Sequence, residues 1–512
     1  MSGLGRTFSV ALVGLNGHLV EVEADIGQSL PAFQLLGLPD LSLVEAKERI
    51  RSAAKNAGLP LSNRKLTINL LPASLPKHGS SFDLAMVMAA LAAAGDIQNT
   101  AGTVFLAELG LDGRLRPVAG VLPAVLAAVK LGHPRVVVAP ANAKEAAMVN
   151  GAEVSTFASL AHVALSFGAS ETDLNLQAAP IEEVGELPAR KDQRLDLSDV
   201  AGQTEAKAAL EVAAAGGHHL LLLGPPGAGK TMLAERLPGL LPDLNDVEAM
   251  EVTAVHSLSG LSSSRTELIR RPPLESPHHT ASSVAIIGGG NGLPRPGAAS
   301  RAHHGVLFLD EAPEYDRRVL DSLRQPLESG KITIHRAAGI ASYPARFQLV
   351  LAANPCPCGK AVGKARDCSC TPSARRRYFS RLSGPLLDRV DIQLTVNKLS
   401  SAQLAGQGTG ETSHVVAARV VQARNRAAER LAPFGHSLNA QATGQLLRGS
   451  LRLAAPTTRI LDLALENGRL TARGYDRVLR LAWTLADLAA CDRPGDEHIG
   501  RALAMRTRGL TP

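Results

Sequence analysis

A chain of 512 residues with 45% hydrophobic and 20% charged residues has the balance of a soluble globular protein of two to four domains, not of a disordered tail or a membrane span. Its longest apolar stretch, Leu84–Gly95, is too short and too Ala-rich to cross a bilayer. The N-terminus carries no sustained apolar core ahead of a cleavage pattern, so the expectation is a cytoplasmic protein without membrane contact. The net charge of +7 and pI near 9.3 permit nucleic-acid binding without demonstrating it.

In chain order, Phe8–Val13 and His18–Ile26 read as a hairpin around Gly14–Gly17. Leu43–Ala57 reads as a helix, Lys65–Leu71 as a strand and Ser81–Ala94 as a second helix. Thr103–Glu108 and Arg135–Ala139 read as strands, with helices at Val121–Lys130 and Asn142–Val149. The alternation argues an α/β domain of its own, residues 1–168. Within it, Pro76-Lys-His-Gly-Ser-Ser81-Phe-Asp and Glu108-Leu-Gly-Leu-Asp-Gly-Arg-Leu-Arg-Pro-Val-Ala-Gly120 resemble the Lon-protease-type domain (ribosomal S5 domain 2-like). Those proteases use a Ser–Lys dyad. Ser81 matches the serine and Ala124 stands at the lysine position, with Lys130 more than a helical turn further on. A hydroxyl without a base is not activated, so the resemblance implies the fold without the protease activity.

Residues 169–196 are acidic, Pro-containing and non-periodic, and read as a linker. The domain that follows, 197–397, opens with a helix at Lys207–Ala215 and an apolar strand at Leu220–Leu223. The strand breaks at Gly224-Pro225-Pro226-Gly227-Ala228-Gly229-Lys230-Thr231, a G-x-x-x-x-G-K-[ST] loop, and a helix starts directly after it. Glycines there let backbone N–H groups turn toward phosphate oxygens, and the helix N-terminus adds partial positive charge. Lys230 is placed to reach the β- and γ-phosphates of ATP, and the Thr231 hydroxyl to ligate Mg²⁺. Downstream, Gly305–Leu309 is an apolar strand ending in two carboxylates, of the kind that lies next to the phosphate loop. Asp310 suits Mg²⁺ held through its water shell, and Glu311 suits orienting and deprotonating the attacking water.

An insertion lies between the two halves of this site, including Pro277-His278-His279-Thr280 and the Gly-rich stretch 286–297. Its histidines, with His303 and His304, read as part of a hinged surface loop, because adjacent histidines rarely share one metal ion. Val319–Glu328 reads as a helix, and Lys331–Arg336 with Ala341–Arg346 as a hairpin. Lys331 and Arg336 suit either a grip on a charged polymer or a plain solvated hairpin. Strand Phe347–Ala353 ends in Asn354, which looks like a sensor 1 residue placed to hydrogen-bond the γ-phosphate or attacking water.

Four of the five cysteines, Cys356, Cys358, Cys368 and Cys370, form two C-x-C pairs. A Cys₄ zinc knuckle, reduced thiols and a redox-labile cluster all fit; a disulfide does not suit a cytosolic chain. Arg375-Arg-Arg-Tyr378-Phe379 follows, either a nucleic-acid contact with stacking aromatics or a subunit-interface helix. The remaining chain, 398–512, reads as helices at Ser413–Leu431, Leu438–Leu447, Pro456–Glu466, Thr471–Leu488 and Glu497–Leu503, a helical lid.

Leu382-Ser-Gly-Pro-Leu-Leu-Asp388-Arg389-Val-Asp391 resembles the arginine-finger segment of AAA+ proteins of the magnesium-chelatase and MCM-helicase group. The resemblance implies that Arg389 enters a neighbouring subunit's site in a ring, a homo-hexamer; a local ion network with Asp388 and Asp391 is the alternative. Arg473 looks like the sensor 2 arginine that reaches back to the γ-phosphate. In order, the Lon-like region, GPPGAGKT, PHHTAS, GVLFLDE, ANPCPCG and SGPLLDRVD resemble the YifB/ComM family of magnesium-chelatase-like AAA+ ATPases. That resemblance implies an α/β architecture of Lon-like domain, AAA+ P-loop domain and helical lid. It also implies a hexameric ATPase that binds DNA and drives branch migration during recombination of transforming DNA, alongside recombination proteins. A chelatase ATPase subunit and a Lon-like ATP-dependent protease are the rival readings.

Overall fold

The computed structural model describes residues 3–28, 30–37, 40–62, 64–77, 79–176, 195–260, 267–290, 294–336, 339–361, 367–399 and 410–507. Residues 177–194 of the expected linker therefore lie outside the described residues, as do 291–293 of the insertion, the hairpin's tip at 337–338 and the centre of the cysteine loop, 362–366.

The N-terminal region is built on a long hairpin, β1 (Gly5–Val13) and β2 (Asn16–Gly27), paired antiparallel from Gly5↔Ala24 to Val13↔Asn16. With β3 (Phe33–Leu36), β4 (Lys65–Leu71) and β5 (Thr103–Leu106), it forms most of a seven-stranded sheet. A small hairpin of β6 (Glu108–Leu109) and β7 (Leu115–Arg116) precedes β8 (Arg135–Val138) and β9 (Glu153–Thr156). The sheet order is β3-β4-β2-β1-β5-β8-β9. The helix Asp83–Ala94 is apolar on every side and accordingly buried nearly all round, packed on one sheet face with the helix Asp40–Asn56. The helix Val121–Lys130 covers the other face and meets Ala254 of the central region.

The central sheet has five strands, all parallel. They are β10 (Leu220–Leu223), β11 (Leu274–Glu275), β14 (Val306–Leu309), β17 (Gln348–Ala353) and β18 (Ile392–Thr395), in the order β11-β14-β17-β10-β18. The carboxylate strand β14 and the phosphate-loop strand β10 are thus not neighbours; β17 lies between them, and only their C-terminal loops converge. Continuous apolar strands are what a sheet covered on both faces demands. Leu220, Leu222, Phe308, Val350 and Ile392 pack on one face against the helices Thr204–Gly216, Ser413–Leu431 and Ala472–Leu488. Leu221, Leu307, Leu309, Leu349 and Leu351 face the other side. The C-terminal helices therefore share one continuous core with the sheet.

Two hairpins pack on the second face of this body, β12 (Gly288–Gly289) with β13 (Arg295–Pro296), and β15 (Lys331–Arg336) with β16 (Gly339–Pro344), the latter placing Ile332, Ile334, Ala341 and Tyr343 in the core. The second strand of the latter begins two residues earlier than the sequence suggests. The helix expected over 319–328 is broken into Arg317–Ser322 and Arg324–Ser329, because Pro326 has no N–H to continue the ladder. Likewise 438–447 is a turn at Asn439–Gln441 followed by a helix at Gly444–Arg448. Among the described residues no helix is long and apolar enough to cross a membrane.

Candidate functional site

The C-terminal edge of the central sheet gathers the residues singled out in the sequence. After Leu223 the chain turns through Gly227 and Gly229, with φ of +75° and +90°, the left-handed values that favour glycine. The helix Lys230–Arg236 follows. The Lys230 ammonium is buried and donates to the carbonyls of Gly224 (2.7 Å) and Pro225 (3.1 Å) and to Asn354 Oδ1 (3.1 Å). Burial lowers its pKa. The Thr231 hydroxyl donates to Asp310 Oδ2 at 2.7 Å, and the Glu311 N–H donates to Asp310 Oδ1 at 2.9 Å. Thus Lys230, Thr231, Asp310 and Asn354, drawn from three strands, meet at one loop. Glu311 stands beside them with φ +50°, its carboxylate 3.3 Å from His279 Nδ1.

A cavity of about 740 Å³ adjoins the loop, lined by Gln203, Thr204, Lys207, Asn397, Lys398 and Glu411 among others. Gln203 closes the gap between the two, its amide donating to the carbonyls of Ala228 (3.0 Å) and Asn397 (2.8 Å). No sequence motif marked Gln203; its φ of +52° in a turn is visible only in the fold.

Arg389 and Arg473 lie elsewhere. In the parallel register Leu220 stands opposite Ile392 and Leu223 opposite Thr395, so the segment ending at Asp391 meets the sheet at the edge away from the phosphate loop. Arg389 is held there by the Glu328 carboxylate and by the Pro385 carbonyl at 2.5 Å. The ion network expected as the alternative for Arg389 is made by other groups, with buried Asp391 gripping Arg477 and His218. Burial, then the nearby charges of Arg473, Arg324 and Arg477, lower the Arg389 pKa. Arg473, one helical turn before Arg477, is thus grouped with Arg389.

The four cysteines converge. Sγ separations are 3.4 Å for Cys356–Cys358 and 3.6 Å for Cys356–Cys368 and Cys358–Cys368, and Cys370 completes a set within 4.8 Å. Tetrahedral zinc with bonds of about 2.3 Å separates its sulfurs by about 3.8 Å, whereas a disulfide needs about 2.05 Å, so the donor set fits a zinc ion. A hydrogen bond from the Lys360 N–H, with neighbouring thiols, brings Cys358 down to about 6, toward the thiolate a metal requires. The knuckle leans on the phosphate loop: a side chain at Gly359 would meet Pro226 Cδ at 2.5 Å.

His303 is not on a surface loop. It is 1% exposed, the Arg346 N–H donates to its Nδ1 at 3.0 Å, and Nε2 faces Glu251 at 3.0 Å. A ring accepting at Nδ1 keeps its proton on Nε2, which leaves no lone pair there for a metal shared with Glu251 and His304. Burial, then His304, push His303 down to about 4, so it is neutral.

The helix Pro372–Phe379 exposes Arg376 and Arg377 but turns Tyr378 inward, 4% exposed, so Tyr378 is not free to stack on a base. Ser81 and Ala124 share a cavity of about 380 Å³, and among the described residues its lining includes no lysine, histidine or carboxylate; His78 lies outside the described residues. Lys77 is buried against the carbonyls of Pro72 and Leu75, and Lys130 is exposed.

Comparison with known proteins matches 196–404 to the model of magnesium chelatase, subunit ChlI, 22–142 to that of subunit ChlI of Mg-chelatase, and 410–506 to the ChlI C-terminal model. An uncharacterized protein of Mycobacterium tuberculosis is 49% identical over 508 residues, 99% of both chains. The competence protein ComM of Haemophilus influenzae is 41% identical over 510 residues, 98% of this chain and 97% of that one. The uncharacterized protein YifB of Escherichia coli is 40% identical over 501 residues, 97% and 96%.

Proposed function

Because the chain belongs to the YifB/ComM family of magnesium-chelatase-like AAA+ ATPases, we propose that it is an ATP-hydrolysing hexameric motor that remodels DNA, a helicase-type branch-migration factor in recombination of incoming DNA. The observation that carries the hydrolytic part is the meeting of Lys230, Thr231, Asp310 and Asn354 at one sheet edge. Lys230 exchanges its loop carbonyls for the β- and γ-phosphates, and Asn354 follows it to the γ-phosphate. Thr231 and Asp310 hold Mg²⁺, which when bound neutralises charge on the phosphates. Glu311 orients the attacking water and takes its proton. The nucleoside occupies the cavity beside Gln203.

Arg389 and Arg473, grouped at the opposite edge, act together on the neighbouring subunit's nucleotide rather than on their own. This departs from the sequence expectation that Arg473 reaches back within its own chain. The zinc knuckle braces the phosphate loop through Gly359 and Pro226. The DNA part is supported by the relative that is a competence protein, by the exposed Arg376 and Arg377, and by the exposed Lys331 and Arg336 on the β15–β16 hairpin. The N-terminal domain is on this reading of Lon-like descent, with Ala124 standing across the cavity from Ser81 where a base would be needed. ATP turnover with and without DNA, beside Lys230→Ala, tests the reading. Turnover that DNA stimulates supports it, and turnover indifferent to DNA in intact rings favours a chelatase-type or protein-remodelling role.

A further inference from the structure

Between the short helix Gly384–Leu387 and β18 the chain runs through Asp388, Arg389, Val390 and Asp391. Two carbonyls of this segment are taken by guanidinium groups from the C-terminal helices. Arg477 Nη1 donates to the Arg389 carbonyl at 3.0 Å, and Arg506 Nη1 donates to the Val390 carbonyl at 2.8 Å. Arg477 Nη1 also meets Asp391 Oδ1. Arg477 belongs to the helix Ala472–Leu488 and Arg506 to the helix Asp496–Thr507, and the two helices pack together.

The other side of the segment is tied to the sheet. Asp391 Oδ2 accepts from His218 Nδ1 and from the His219 N–H, each at 3.3 Å, and the N–H groups of Asp391 and Ile392 donate to the His219 carbonyl at 3.1 and 3.0 Å. His219 is the residue before β10. Burial alone would raise the Asp391 carboxyl, but Arg477 and then His218 hold it well below the usual carboxylate range. The Arg389 side chain is kept less firmly than its backbone. The Glu328 carboxylate that holds it is 64% exposed, and such surface ion pairs are weak. Arg389 Nε has no partner among the described residues. The backbone is thus fixed from the buried side while the guanidinium is free to leave. Arg473 stands one turn before Arg477 on the same helix, so the grip that fixes Arg389 also fixes its spacing from Arg473.

We propose that Arg477 and Arg506 are positioning residues for the arginine finger: by gripping the Arg389 and Val390 carbonyls they set the Arg389 backbone at a fixed spacing from Arg473, so that both guanidinium groups are presented to the neighbouring subunit's nucleotide as one unit. This rests on the reading of Arg389 as a finger acting between subunits. Neither Arg477 nor Arg506 touches nucleotide; both act through Arg389. Charge developing in the transition state is stabilised only by groups already in place, which gives a reason for two buried arginines where apolar side chains would fill the space at lower cost.

The test is ATP turnover by the full-length protein carrying Arg477→Met, Arg477→Lys or Arg506→Met, alone and in rings mixed with Lys230→Ala or Arg389→Ala subunits. Binding of a non-hydrolysable ATP analogue and the melting temperature are measured on each. The expected kcat is lower by about 10- to 100-fold in Arg477→Met and several-fold in Arg506→Met, with KM for ATP and analogue affinity at parental values. Arg477→Lys, whose ammonium still donates to both oxygens, recovers part of the loss. Arg477→Met leaves Asp391 buried with one cation fewer and melts lower. Arg506→Met strips no buried carboxylate of its partner, and it carries the test if Arg477→Met does not assemble. Adding either Met substitution to Arg389→Ala lowers kcat no further, because the residues act as a unit. In mixed rings both Met variants recover turnover beside Lys230→Ala, which lends an intact finger, and none beside Arg389→Ala, which lacks one. Recovery beside Arg389→Ala, no recovery beside Lys230→Ala, a further loss in the double variants or a parental kcat in both Met variants overturns the assignment. If Arg389→Ala itself does not recover beside Lys230→Ala, the finger reading falls and this role with it; recovery there with parental turnover in both Met variants removes only the latter.

Discussion

Gly359 shows how one residue joins two parts of the site. Its φ is +73°, and a Cβ there would stand 2.5 Å from Pro226 Cδ. Gly359→Ala therefore adds left-handed strain of about 1 kcal/mol and pushes the knuckle off the phosphate loop. The expected outcome is a KM for ATP several-fold higher with zinc content unchanged, read from kinetics and metal analysis on one preparation. His303 carries a pH prediction. Its folded pKa, about 4, lies below the ordinary histidine value near 6.5, so between those limits the unfolded chain binds more protons and stability rises with pH. Acidification from pH 6.5 toward 4 should thus remove about 3 kcal/mol through this residue. Burial raises Asp83 to about 6, which works in the opposite direction but is common to parent and variant. His303→Gln should therefore flatten the dependence of melting temperature on pH between 7.5 and 5 relative to the parent; equal slopes would refute this. Lys230, Thr231 and Asp310 were legible because their spacing is a motif. The His279–Glu311 contact was not, since it depends on the register of a two-residue strand.

At the scale of elements, the long amphipathic or wholly apolar segments announced themselves: Val121–Lys130 and Ser413–Leu431 have the bounds their periodicity suggests. Short edge strands such as Phe33–Leu36 and Glu153–Thr156 did not, because four residues carry too little alternation to stand apart from loops. The helix Asp246–Leu258 was also missed, though its signal was present. Asn245 and Glu248 form a capping box, Asn245 Oδ1 accepting from Glu248 N–H at 3.0 Å. The knuckle is the element whose chemistry is most testable. One zinc per chain is expected. Cys358→Ser should lose the zinc and weaken ATP binding, while Cys491→Ser, at an exposed cysteine apart from the cluster, should keep both. Zinc retained in Cys358→Ser would remove the Cys₄ assignment.

At the scale of the whole molecule, Lys230 and Asp310 stand at one edge of the sheet and Arg389 and Arg473 at the other, and on the proposed reading the two sets meet between subunits. Only the docking of the C-terminal helices on the sheet reveals this, which is why the sequence pattern at Arg473 pointed inward to its own chain. Rings mixed from Arg389→Ala and Lys230→Ala subunits should recover activity at junctions where an intact loop faces an intact finger, since each variant supplies what the other lacks. No recovery at any mixing ratio would exclude a finger acting between subunits. On the proposed function, ATP hydrolysis drives work on DNA. The ATPase rate with and without forked, four-way and single-stranded DNA, blanked with Lys230→Ala, tests it most directly. ATP-driven work on DNA should show as stimulation by branched or single-stranded DNA that declines as salt rises. A rate indifferent to every DNA at low salt, in confirmed rings, would contradict it.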